Sequence, residues 1–390
     1  MKLFWPTSES FEEALSNLKK ASLNRPFDEE VLEFTQTLSK RFIRMRHLPE
    51  VVALGYWLRK ANVKQMQSKF ENSIKGKFVR ARGLCFHIAP SNVDTIFVYS
   101  WMLSLLAGNK NIIRISSKSE VNDVLRVILD ELENVEKVAK QTMICTYGRG
   151  ENATEIISAA CQTRVIWGGD TTVNAIRSVP LATLANELAF PDRFSLAVFN
   201  AEKLCKLSEK ALDALLEQFY NDVFWFDQMA CSSPRLVVWV GQSSKAFWQK
   251  FEKKIMAKQY ELLAATQVLK YTTSLQLAAE NYVGKVEPST YFSRVQLVKL
   301  PANVREQHCG GGLFYEYEVN TLTDLAQVII DKDQTIAYFG FEKSELAQLV
   351  QIIPTRGIDR IVPIGQALDF SGVWDGQSLL TSFTREVVIV

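Results

Sequence analysis

The sequence predicts an α/β protein with two series of strands alternating with helices, set behind a helical N-terminal layer. Length is the first observation, because 390 residues at roughly 150 per domain give chain enough for two or three domains. The second is a change of pattern. Across residues 8–74 apolar positions such as Val31, Leu32, Phe34, Leu38 and Phe42 recur at near-helical spacing among charges. After Gly76 the chain turns to short β-branched and aromatic runs separated by amphipathic stretches, as a doubly wound sheet requires. The third is that this alternation starts again after a Pro- and Arg-containing segment at 190–193.

Taken in order, the first series reads FVRARGLCFHI, NIIRIS, TMICTY, RVIWGG and FSLAVF. The second reads RLVVWVG, YFSRVQLVKL, LFYEYEV, TIAYFG and RIVPIG. A boundary is expected between Phe190 and Glu202. The stretch TIFVYSWMLSLLA, 95–107, falls short of the roughly 20 residues a membrane span needs and reads as a buried core helix. The closing TSFTREVVIV alternates weakly and reads as a C-terminal strand.

Composition excludes several classes of protein. Lys+Arg 45 against Asp+Glu 43 leaves a formal charge of +2, with no electrostatic footprint for nucleic acid or an anionic membrane. Cys85, Cys145, Cys161, Cys205, Cys231 and Cys309 include no CxxC pair, and the only histidines are His47, His87 and His308. That argues against a metal cluster and for reduced thiols. The start, MKLFWPTSESFEEAL, lacks the basic and apolar runs of a signal peptide, which predicts a cytoplasmic protein.

Five constellations could carry chemistry. In HIAPSNVDTIF, 87–97, a strand runs into Pro90, Ser91 and Asn92 before an apolar helix. The Asn92 carboxamide is either an oxyanion donor or a helix N-cap. In GNKNIIRISSKSE, 108–120, a buried strand ends in Arg114, followed by Ser116, Ser117 and Lys118, where open α/β sheets bind ligands. These residues could hold a ribose and its phosphate. In RVIWGGDTTVNAIR, 164–177, Gly168 and Gly169 precede a helix starting at Asp170. This is either a pyrophosphate turn or a glycine turn capped by Asp170. In FWFDQMACSSPRLVVWV, 224–240, Cys231 is either a buried structural thiol, the default for any of the six, or a nucleophile, towards which its setting of Gln228, Ser232, Ser233 and Pro234 just before a buried strand shifts the balance. In HCGGGLFYEYEV, 308–319, three glycines make a loop that a ligand can approach.

The order of PSN, a strand ending in a basic residue, a GG turn and a Cys before a strand resembles the aldehyde dehydrogenase superfamily. More closely, FHIAPSNV, SLLAGNKNIIRISSKS, DQMACSSPR, GGGLFYEYEV and GIDRIVPIGQALDFSGVWDG, with HLPEVVALGYWLRKANV at 47–63, are similar to the LuxC-type acyl-CoA reductases. Asp170 departs from the small hydroxyl residue usual in the wider superfamily. The resemblance implies an aldehyde-dehydrogenase-like fold of two Rossmann-like domains. The expected segments are a helical layer over 1–75, a dinucleotide-binding domain over 76–200 and a catalytic domain over 201–375. A strand over 376–390 would return to the cofactor domain or lie at a dimer interface.

It also implies NADPH-dependent reduction of an acyl-CoA or other acyl thioester to the aldehyde. Cys231 would be the nucleophile and Asn92, with the Cys231 N–H, the oxyanion donor. Arg114, Ser116, Ser117, Lys118, Gly168, Gly169 and Asp170 would hold the cofactor, with no metal. Glu187, in NELAFPDRFS, stands near the hydrolytic glutamate of the oxidising enzymes but about two residues displaced. The alternatives are an oxidative aldehyde dehydrogenase and a non-catalytic subunit that holds an acyl group. Expected partners are an acyl-CoA or acyl-carrier substrate, an acyl-transferring protein and further copies of the chain.

Overall fold

The computed structural model describes residues 1–90, 94–116, 122–148 and 150–389. The chain divides into one unit formed by Met1–Asp192 with Phe370–Val390 and a second formed by Arg193–Asp369.

In the first unit the strands are β1 (Lys2–Trp5), β2 (Phe78–Ala81), β3 (Leu84–Ile88), β4 (Lys110–Arg114), β5 (Thr142–Thr146), β6 (Thr163–Trp167) and β7 (Asn186–Phe190). Among the described residues, all but β2 form a sheet in the order β1-β5-β4-β3-β6-β7. β1 runs antiparallel to β5 and every other pair is parallel. The parallel strands therefore follow the Rossmann order, and the winding reverses between β3 and β6. β3 and β6 are buried along their whole length, which is why they read as continuous runs rather than alternations.

The N-terminal layer consists of helices Phe11–Lys20, Glu29–Arg44, Pro49–Trp57 and Lys60–Ser73. Ser10 and Glu13 close a capping box on the first, and Val31, Phe34, Leu38 and Phe42 form the buried stripe of the second. This layer shares a core with the helix that links β3 to β4. Phe34 meets the edge of Trp101 at 5.8 Å, and Trp101 lies on that helix, Asp94–Leu106, which fills the core. The layer is not wholly helical: Lys2–Trp5 forms β1, a run too short for periodicity to reveal.

In the second unit the strands are β8 (Phe194–Asn200), β9 (Pro234–Val240), β10 (Val283–Pro288), β11 (Ser293–Leu297), β12 (Leu313–Val319), β13 (Asp333–Phe339) and β14 (Arg360–Pro363). They pair in the order β10-β11-β12-β9-β8-β13-β14. Only β10, on β11, is antiparallel among these described pairs.

The segment after Asp369 belongs to the first unit. It forms the short hairpin β15 (Val373–Trp374) and β16 (Gln377–Ser378), helix Leu379–Ser382, and β17 (Thr384–Val387). β17 pairs antiparallel with β2. Leu379 and Phe383 are fully buried in the same core as the N-terminal layer.

Candidate active site

Where a doubly wound sheet reverses direction, the connections leaving neighbouring strands diverge and open a crevice at the strands' carboxyl ends. At the β3/β6 reversal a cleft of about 860 Å³ is lined by Ala89 and Pro90 after β3 and by Trp167, Gly168 and Gly169 at the end of β6, with Arg114 and Ser116 at the end of β4. Gly169 is the N-cap of helix Asp170–Arg177, so Asp170 is the first helical residue and not the cap. Asp170 is exposed, while Thr171 and Thr172 line the cleft. A Cβ built on Gly169 meets nothing within 4 Å. The turn is thus bare, and the Asp170 and Thr171 N–H groups precede the first bond of the helix, from the Thr172 N–H to the Gly169 carbonyl at 2.9 Å.

Arg114 supplies the charge. Its Nη2 donates to the Tyr147 carbonyl at 3.4 Å, its guanidinium lies over the Tyr147 ring at 5.3 Å, and its Nε is buried without a partner. Asn92, Ser117 and Lys118 lie outside the described residues.

In the second unit the Cys231 loop precedes β9 and the triglycine loop precedes β12. β9 and β12 are parallel neighbours, so both loops leave the sheet at the same, amino-terminal edge. Gln228, wholly buried, ties them together. Its Nε2 donates to Pro234 O at 2.9 Å and its Oε1 accepts the Gly312 N–H at 3.0 Å. Gly311 N–H adds a bond to Asp227 O at 2.8 Å. The chain takes φ of 49° at Asp227 and 62° at Gln228, a conformation that non-glycine residues seldom adopt. Gly310 needs its own positive φ of 72° and its missing side chain, because a Cβ there would come within 2.5 Å of Met229 Sδ. Behind the loop, buried Arg235 points donors at the carbonyls of Arg193, Gln228 and Met229.

The thiols differ in environment. Burial pushes Cys85 and Cys145 up to about 12 and Cys161 up to about 11, which keeps them protonated and inert. Cys231 is partly exposed. His308 takes the Gly310 N–H on Nδ1 at 3.0 Å and donates from Nε2 to Leu313 O at 2.6 Å. Both ring nitrogens are committed in the neutral form, and burial holds the pKa well below the usual value.

The model of the acyl-CoA reductase (LuxC) family matches residues 25–280. The chain belongs to that family. A long-chain acyl-protein thioester reductase of Aliivibrio fischeri is 22% identical over 320 residues, 78% of this chain and 64% of the relative. The chain therefore spans just under two thirds of that relative's length. Among solved structures, the substrate-bound state of Staphylococcus aureus AldH is similar at a TM-score of 0.66 and 13% identity, over 97% of this chain and 93% of that one. The glyceraldehyde-3-phosphate dehydrogenase GapN of Methanocaldococcus jannaschii, complexed with NADP, matches at 0.66 and 12% over 96% and 92%. Aldehyde dehydrogenase 21 of Physcomitrella patens matches at 0.67 and 9% over 97% and 90%. The fold is that of the aldehyde dehydrogenases.

Two residues of this LuxC-family chain that sequence left open have structural partners. Glu187, on β7, accepts from Arg164 Nε at 2.8 Å and Nη2 at 2.5 Å and from Arg177 Nε at 2.8 Å. His87, on β3, is fully buried between Ser100 Oγ at 2.8 Å and Asn111 Oδ1 at 3.0 Å, and burial brings its pKa down to about 4. Sequence reasoning missed the roles of Gln228, Arg235 and Tyr147. The one available signal was their position, within the Cys231 motif for the first two and directly after a strand for Tyr147.

Proposed function

We propose that this LuxC-family chain reduces an acyl thioester, carried by CoA or by a carrier protein, to the aldehyde with NADPH through an acyl-cysteine on Cys231. The observation that carries the reading is a partly exposed thiol on a loop braced by buried Gln228 and Arg235, within the stretch matched by the family. The Cys231 thiolate attacks the thioester carbonyl, and the Asn92 carboxamide with the Cys231 N–H stabilises the oxyanion. The CoA or carrier thiolate leaves as the carbonyl re-forms on Cys231.

The cleft at the β3/β6 reversal suits a dinucleotide. The bare turn at Gly168 and Gly169 with the helix start beyond it offers N–H donors to a pyrophosphate. Arg114, whose charge is unmatched by any carboxylate among the described residues, together with Ser116, Ser117 and Lys118, takes the 2′-phosphate. Asp170 stays at the helix start. A bound nicotinamide supplies the hydride for the reductive half of the reaction. Glu187, held by Arg164 and Arg177, is not available to activate water, which favours reduction over hydrolysis of the acyl-cysteine. No helix among the described residues is long and apolar enough to cross a membrane. Our reading is a cytoplasmic homo-oligomer fed by an acyl-CoA, an acyl carrier or an acyl-transferring protein.

The test is incubation with a panel of acyl-CoAs and NADPH, following cofactor oxidation and aldehyde formation. Aldehyde stoichiometric with NADPH consumed is expected. Steady turnover of aldehyde to acid, with no reduction of any thioester, would replace this reading with the oxidative one.

A further inference from the structure

We infer that Tyr147 is a positioning residue which holds Arg114 for phosphate recognition and so sets the choice between phosphorylated and non-phosphorylated nicotinamide dinucleotides. The inference rests on the reading of this cleft as the cofactor site.

Arg114 is the only cationic side chain among the described residues that line the cleft, whose other charges are Glu151 and Glu155. Long cationic side chains in such a place normally pair with a carboxylate or turn to solvent. Arg114 has no carboxylate partner among the described residues and is only partly exposed. It is held from one side by a single residue, through the ring beneath its guanidinium at 5.3 Å and the backbone carbonyl that accepts from Nη2 at 3.4 Å. Nε is buried and unpartnered. A guanidinium has donors on several edges, and contact with one residue leaves most of them open to a ligand in the cleft. An anion with several acceptor oxygens, such as a phosphate, matches that need.

Tyr147 is itself anchored. It is 5% exposed, and its hydroxyl and that of Thr154 are 3.0 Å apart. Thr154 belongs to helix Ala153–Ala160 and lines the same cleft. The ring is thereby fixed between the end of β5 and a helix on the cleft wall. Orientation of the guanidinium is pre-set rather than recruited on binding, and that pre-setting improves affinity by lowering the ordering cost.

The experiment is calorimetric titration of the full chain with NADPH, NADH, adenosine 2′,5′-bisphosphate and 5′-AMP, with melting temperature recorded for each variant. Tyr147→Leu should weaken NADPH and the bisphosphate by roughly tenfold, the scale of a lost cation–π contact with its orientation. NADH and 5′-AMP should change by less than about twofold if the 2′-phosphate is what Arg114 reads. Tyr147→Phe, which keeps ring and carbonyl, should retain the preference. Should the leucine variant not fold, Tyr147→Met carries the same expectation, since methionine fills irregular space well.

Equal weakening of all four ligands by Tyr147→Leu would show a merely structural role and overturn the inference. Arg114→Leu separates the two levels. If it abolishes the NADPH preference while Tyr147→Leu does not, the positioning role fails and the cofactor reading stands. If it leaves the preference unchanged, the cofactor reading itself fails.

Discussion

The Ser195 hydroxyl donates to the backbone carbonyl of Cys231 at 2.7 Å, and the same oxygen accepts the Thr335 N–H at 3.3 Å. β8 and β13, parallel neighbours, are thus joined to the peptide of Cys231, the proposed nucleophile, by one fully buried side chain, that of Ser195. Ser195→Ala should leave that carbonyl and the Thr335 N–H with poorer partners, at roughly 1–3 kcal/mol of stability. Acylation should slow while nucleotide binding stays constant. Thermal denaturation and acyl-adduct kinetics check this, and unchanged values in both would show that Ser195 braces nothing.

Cys231→Ala should abolish aldehyde formation while nucleotide binding persists, because this thiol is the proposed nucleophile and the cleft at the β3/β6 reversal belongs to the other unit. Intact-mass analysis of the unmodified protein with acyl-CoA and no nicotinamide should show an adduct that hydroxylamine removes. Mapping of that adduct to Cys309 or Cys205 would move the nucleophile.

Asn92→Ala should slow acylation by about a hundredfold or more, the usual consequence of removing one oxyanion donor. A lost helix cap alone would cost roughly 1 kcal/mol of stability. Asn92→Asp separates the two roles, since Asp caps but cannot donate. A stable and fully active Asp variant would leave only the cap.

Asp222 gives a pH dependence. Its carboxylate accepts the Gly365 and Ala367 N–H groups at 2.6 and 3.0 Å, yet burial raises its pKa to about 7 from 3.8. The folded chain therefore holds this proton more tightly than the unfolded chain does. The resulting stabilisation is complete below the unfolded value and is lost as pH rises towards the folded one. Relative to Asp222→Asn, which cannot ionise, the unmodified protein should lose stability between about pH 4 and pH 7. Parallel melting curves across that range would contradict the assignment.

Sequence resolved the central strands and the edge strand β14 well, and the edge strands β1, β7 and β10 poorly. β3 and β6, flanked on both sides, are short runs rich in aliphatic and aromatic residues that pattern reading detects. β7 (NELAF) and β10 (VGKVEP) border their sheets with mixed burial, and their Asn, Gly and Pro look like loop. At the candidate site, Cys231 stood out because its neighbours are small and polar. Gln228 did not, because its function depends on Gly312, 84 residues away in the chain, and only strand order brings the two loops to one edge. The same holds for Tyr147, whose value comes from Arg114 on the adjacent strand. Contacts across a sheet are tertiary facts, and local periodicity carries no trace of them.

The return of the chain to its first unit has a consequence for synthesis. Leu379, Leu380 and Phe383 occupy a core otherwise built from residues before Asp192. Asn109 Nδ2 and Arg82 Nε wait for the carbonyls of Phe383 and Ser382, at 2.9 and 2.6 Å. On the ribosome these residues emerge only after the whole of Arg193–Asp369. Because domains tend to fold as they are released, the later-made unit can complete its sheet while the earlier-made one still has an open seam. A released chain truncated after Asp369 should be protease-resistant in its second unit and cleavable in its first, the reverse of the order in which they were translated.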